Sequence, residues 1–107
     1  MSDEEFLALK ASYDLTIPKK LNDLEKAIFA VQKNPTKDSI KILRDLSHKL
    51  AGVAGIYGYP VVSLICRPLA ESLMKALEVI ENHPNSKPEL PNLNNLYTEI
   101  KHGFDHR

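Results

Sequence analysis

The chain has 107 residues, 43% of them hydrophobic and 26% charged. That length gives one domain, residues 1–107, with a single core. Fourteen basic residues balance fourteen acidic ones, a balance that argues against a nucleic-acid binder or a polybasic membrane-surface segment.

No apolar run approaches the roughly 20 residues of a bilayer span. The start, Met1-Ser2-Asp3-Glu4-Glu5, is acidic and lacks the basic-then-apolar form of a signal peptide. Cys66 is the single cysteine, so no internal disulfide forms. The expected compartment is the reducing cytoplasm.

Apolar residues recur at helical rather than strand spacing, which predicts an all-α chain. Ser2 and Glu5 form a capping signature. The stripe Phe6, Leu9, Tyr13, Ile17, Leu21, Leu24, Ile28, Val31 then steps by three and four. It stays in phase across Pro18, which predicts one long helix kinked there by the missing donor. A two-helix reading with a stop near Thr16 stays open. Asn34-Pro35 ends the segment.

A second helix starts near Thr36 or Asp38, both N-cap residues. Its apolar positions are Ile42, Leu43, Leu46, Leu50, Val53, Ala54 and Tyr57, and Gly58 is placed as its C-terminal stop. Pro60 suits the first turn of a third helix. That helix carries Val62, Ile65, Cys66, Leu69, Leu73, Leu77 and Ile80, with a kink expected at Pro68. Residues 83–91 hold three prolines and read as a loop. A fourth helix follows Pro91, with Leu93, Leu96, Tyr97, Ile100 and Phe104 on one face. Four one-sided stripes with short connections predict an antiparallel up-and-down four-helix bundle whose first helix is long and Pro-kinked.

On the second helix, at about 100° per residue, Lys41, Arg44, Asp45, Gly52 and Gly55 lie within about 60° of His48. Leu43, Leu46, Leu50, Val53 and Tyr57 lie more than about 130° away. His48 is thereby predicted to face solvent from mid-helix. Each helical glycine costs about 1 kcal/mol relative to alanine. On a buried face glycines allow close packing; on this face they clear space around an imidazole for a broad, protein-sized partner. Neutral imidazole is a nucleophile able to accept a phosphoryl group, a transfer that needs positioning and charge neutralisation. Lys49 adjoins His48, and Lys41 and Arg44 lie on or near its face, although these cations alone read better as a solvated helix surface.

The string Leu46-Ser47-His48-Lys49-Leu50-Ala51-Gly52-Val53-Ala54-Gly55-Ile56-Tyr57-Gly58-Tyr59 resembles the signature of histidine-containing phosphotransfer (HPt) domains. That signature is a histidine followed by leucine at two, glycine at four and glycine at ten, here His48, Leu50, Gly52 and Gly58. Ser47 meets the small residue that usually precedes the histidine. The likeness extends into the third helix at Cys66 and Leu69-Ala70-Glu71, about half the chain by motif.

The resemblance implies a phosphorelay intermediate of two-component signalling. Such a carrier is not an enzyme and has no ATP site or cofactor of its own. His48 takes a phosphoryl group from the aspartyl phosphate of a receiver domain and passes it to another. Magnesium belongs to the partner. Implied partners are response-regulator receiver domains or a hybrid histidine kinase, met by a monomeric carrier. Lys49, Arg44, Lys41, Gly52 and Gly55 are the implied phosphoryl-stabilising or docking residues. Many members carry lysine three after the histidine, where this chain has Ala51, and often glutamine near the place of Ala70. A His-basic-Leu-Ala-Gly pattern found in some branches implies that Lys49 supplies the charge. A helical adaptor that binds a receiver or kinase without transfer is the alternative, and a plain helical interaction module is the third reading.

Other constellations carry less. His102 and His106 have a one-face metal spacing, but a fraying helix end explains them without a metal. Cys66 in an apolar stripe reads as a buried, inert thiol. Tyr57 reads as core. Tyr59 reads equally as a docking-surface residue or an ordinary turn residue.

Overall fold

The computed structural model describes residues 2–105. Four helices form, α1 (Asp3–Lys33), α2 (Lys37–Val53), α3 (Pro60–Asn82) and α4 (Leu93–Asp105), and no strand occurs among the described residues. Backbone contacts join α1 to α2, α2 to α3, α3 to α4 and α1 to α4. Among the described residues α1 does not approach α3 at backbone distance, nor α2 α4. These two pairs are the diagonals of a ring of helices around one core. No helix of the described residues is long and apolar enough to cross a membrane.

The caps fix where the helices begin. Ser2 Oγ accepts the Glu5 N–H at 3.2 Å. α1 then runs through Pro18 as one helix, so the two-helix reading fails. Thr36, not Asp38, caps α2, with Thr36 Oγ1 and Ser39 Oγ each accepting the other residue's N–H. This reciprocal box satisfies two donors that a helix start leaves orphaned. Asn92 Oδ1 accepts the Asn95 N–H at 3.1 Å at the head of α4. α3 runs through Pro68.

The core gathers Leu24, Ile28 and Val31 of α1, Ile40, Leu43 and Leu50 of α2, Val62, Cys66, Leu69 and Leu73 of α3, and Ile100 and Phe104 of α4. Two expectations on α2 need correction. Ile42 is 57% exposed and Val53 37% exposed. The buried row is instead Ile40, Leu43, Ser47, Leu50 and Ala51, which steps by three and four from a residue outside the expected stripe. Burial pushes the Cys66 thiol up to about 12, so it stays protonated and inert.

α2 also ends earlier than Gly58. The α-helix stops at Val53, and residues 54–58 form a tighter run of turns. Gly58 still ends it, with φ at 93°, a left-handed value that suits glycine. The Tyr59 N–H reaches back to the Ala54 carbonyl and the Gly58 N–H to Gly55. This is the double closure of a Schellman motif.

Tyr59, the next residue, is fully buried. It is therefore neither a docking nor an ordinary turn residue. Its hydroxyl donates to Asp14 Oδ1 at 2.5 Å. Phe104 meets its ring edge-on at 5.1 Å between centroids, and Lys10 Nζ lies 4.8 Å from the ring centre. Burial, then the bond to Asp14, raises the phenol's pKa. The end of α2 is thus pinned to α1. Tyr57 is half-buried, stacked on Tyr13 at 4.8 Å.

Candidate functional site: the groove between α2 and α3

Ser47 and His48 are neighbours with opposite surroundings. Ser47 is fully buried, and its hydroxyl donates to the Leu43 carbonyl at 2.8 Å. His48 is exposed in the middle of α2. The rotation of about 100° per residue turns the imidazole out while its neighbour anchors the helix.

His48 lines an open groove of about 720 Å³ between α2 and α3. Two contacts tie this pair together, one from the turn just past α2 and one between long side chains farther along. The Gly55 N–H donates to Ser63 Oγ at 2.8 Å, and Arg44 Nη1 meets Met74 Sδ at 3.8 Å. Each step back along α2 matches one step on along α3, so this pair runs antiparallel. His48 comes level with Ala70, and Ala51 with Arg67. Both alanines line the groove and are buried, giving it a small-residue floor.

A Cβ placed on Gly52 meets no atom within 4 Å. The glycine lies one turn beyond His48 in the same groove and leaves open space there. Gly55 differs. It stands past the end of α2, and a Cβ on it would lie 3.0 Å from Ser63 Oγ, the atom that accepts its own N–H. Its place is therefore a close approach between the α2–α3 turn and α3, not clearance within a helix around His48.

The groove is electrically mixed. Arg44, Arg67 and Lys75 line it with Asp45, Glu71 and Glu78. Arg44 is committed: its Nη2 pairs with Asp45 Oδ1 at 2.7 Å, while its Nε is buried without a hydrogen-bond partner. Among the described residues Arg67 and Lys75 make no ion pair.

Of the residues singled out in the sequence, His48, Arg44 and Gly52 share this groove. Lys41 is exposed but lies outside its lining. Lys49 is exposed and lines a second groove of about 600 Å³, between α1 and α2, with Leu9, Tyr13, Leu46, Leu50, Val53 and Tyr57. One residue of helix rotation thus turns Lys49 away from the groove that His48 lines.

Sequence reasoning named Ala70 and Glu71 only as part of the family likeness and missed the rest of the α3 wall, Arg67, Met74, Lys75 and Glu78. Its signal was the row of polar residues at 67, 71, 75 and 78, one helical edge beside the apolar stripe. Among the described residues no cluster of three or more His, Cys, Asp or Glu could hold a metal. His106 lies outside them. No family model, curated protein or solved structure matches the chain.

Proposed function

We propose that the chain is a phosphohistidine carrier. His48 takes a phosphoryl group from the aspartyl phosphate of one receiver domain and gives it to another. The observation that carries this reading is the exposed place of His48 at mid-α2, over an open groove that Gly52 leaves clear. The groove is flanked by surface rather than closed over, which suits a reaction whose other half arrives on a protein.

In the transfer, a ring nitrogen lone pair attacks phosphorus as the phosphorus–oxygen bond to the aspartyl carboxylate breaks. The carboxylate leaves with that electron pair. The other ring nitrogen keeps its proton, which the phosphorylated ring then exchanges with solvent. No ATP is consumed, and magnesium and the acidic pocket belong to the receiver. The ring of helix contacts favours an antiparallel up-and-down course, and in this reading the carrier is a cytoplasmic monomer.

The test is incubation with a panel of phosphorylated receiver domains, followed by mapping of acid-labile phosphate. Label is expected on His48 alone. His48→Gln removes it and leaves the helical circular dichroism unchanged, since this side chain is outside the core. Label on His83, His102 or His106 overturns the assignment. A receiver that binds with measurable affinity yet transfers nothing identifies the adaptor alternative.

A further inference from the structure

We propose that Arg67 of α3 is the cation that neutralises the phosphoryl group on His48. The proposal rests on the carrier reading and names the side chain that completes its site. Arg67 lines the same groove as His48. In the register read from Gly55 with Ser63 and Arg44 with Met74, it stands level with Ala51. That is three residues from His48 along α2, an axial offset of about 4.5 Å, and both side chains line the one groove between the helices. Ala51 and Ala70, which line the groove at these two levels, carry only methyl groups.

The competing cations are less suitable. Arg44 already holds Asp45. Lys75 stands level with Leu43, farther along the axis on the other side of His48. Lys49 lines the opposite groove. Arg67 is exposed and makes no ion pair or hydrogen bond among the described residues, so its guanidinium is not spent elsewhere. The need for it is local. Glu71 stands level with Ser47, beside His48, and an incoming dianion meets that carboxylate. A guanidinium four residues before Glu71 on the same edge of α3 makes no ion pair with it in the structure and is placed to offset both charges once the phosphoryl group arrives. Its planar fork fits phosphoryl oxygens in a bidentate manner that an ammonium does not.

The experiment compares wild type, Arg67→Ala and Arg67→Lys in two measurements: the rate of label uptake from a phosphorylated receiver, and the lifetime of phosphohistidine after the receiver is removed. Arg67→Ala is expected to take label at least about tenfold more slowly and to lose it faster. Arg67→Lys falls between. Melting temperature stays within error of wild type, because the side chain is exposed and unpartnered. A labelled wild type with an Arg67→Ala variant equal to it in rate and lifetime overturns the role of Arg67 alone. A wild type that no receiver labels overturns the carrier reading, and Arg67's role with it.

Discussion

Two grooves run along α2, one on either side, and they differ in kind. The groove toward α3 has an alanine floor, an open glycine, an exposed imidazole and three charges of each sign. The groove toward α1 has walls of leucine, valine and stacked tyrosine, with Lys20, Asp23 and Lys49 as its charged lining. His48 and Lys49 are adjacent in sequence, yet they line different grooves. Adjacency along a helix is therefore a poor guide to which charge acts on which group. Level across the helix pair is the better guide, and it points from His48 to α3.

The strongest way to break this contrast is to fill the open side of the α3 groove. Gly52→Gln places a side chain in space where a Cβ meets nothing within 4 Å. Glutamine is the better helix former by up to about 1 kcal/mol, so the variant should melt no lower than wild type. A receiver must still bring its phosphorus to about 3 Å from the imidazole nitrogen. Label uptake should therefore slow by more than about tenfold. Thermal melts and uptake rates on the same preparation check both halves. A lower melting temperature would place Gly52 against a neighbour, and unchanged uptake would bring the partner in from the other side of His48.

The parts of this picture legible in the sequence are those set by periodicity along one helix. The four elements, the caps at Ser2 and Thr36 and the outward turn of His48 all follow from local spacing and cap chemistry, whereas Gly58 closes the turn after α2 rather than the helix itself. The parts that were not legible depend on a second helix. Ile42 has the right chemistry for the core but lies one step off the buried row that Ile40 begins, and only the approach of the neighbouring helices decides between them. Tyr59 follows a left-handed glycine whose turn sends it inward to Asp14, 45 residues away along the chain. Arg67 belongs to the site through register, which the contacts of Ser63 and Met74 indicate and which no motif around His48 contains.

Gly55 sharpens the comparison because it looks like Gly52 in sequence and is not like it in space. A helix wheel puts both on the His48 face, and open space at both would make alanine stabilising. At Gly55 the added Cβ would stand 3.0 Å from Ser63 Oγ. The serine cannot move away without stretching the bond it accepts from the Gly55 N–H. Gly55→Ala is expected to lower stability by up to about 1 kcal/mol, the net worth of the hydrogen bond that the shift strains. A double-mutant cycle with Ser63→Ala checks the cause. If the clash is with the hydroxyl, Gly55→Ala costs much less in the Ser63→Ala background. Equal costs in both backgrounds would put the strain elsewhere in the turn.

The smallest effect expected is the one the sequence ranks highest among the cations. Lys49 adjoins His48, and the family likeness implies that it supplies the charge near the phosphoryl group. Its side chain leaves α2 about 100° around from the imidazole and lies along the α1–α2 groove. It is exposed, so solvent and salt screen whatever reaches His48. Lys49→Ala should change label uptake and phosphohistidine lifetime by under about twofold, and the change should shrink further in added salt. Arg67→Ala, measured beside it, supplies the contrast. Both variants remove one positive charge from the surface of one small domain, so a nonspecific field effect would slow them alike. A large loss at Arg67 with a small one at Lys49 would assign the neutralising charge by register across the α2–α3 groove. The reverse order would mean that the partner, once docked, draws Lys49 around α2 to the phosphoryl group.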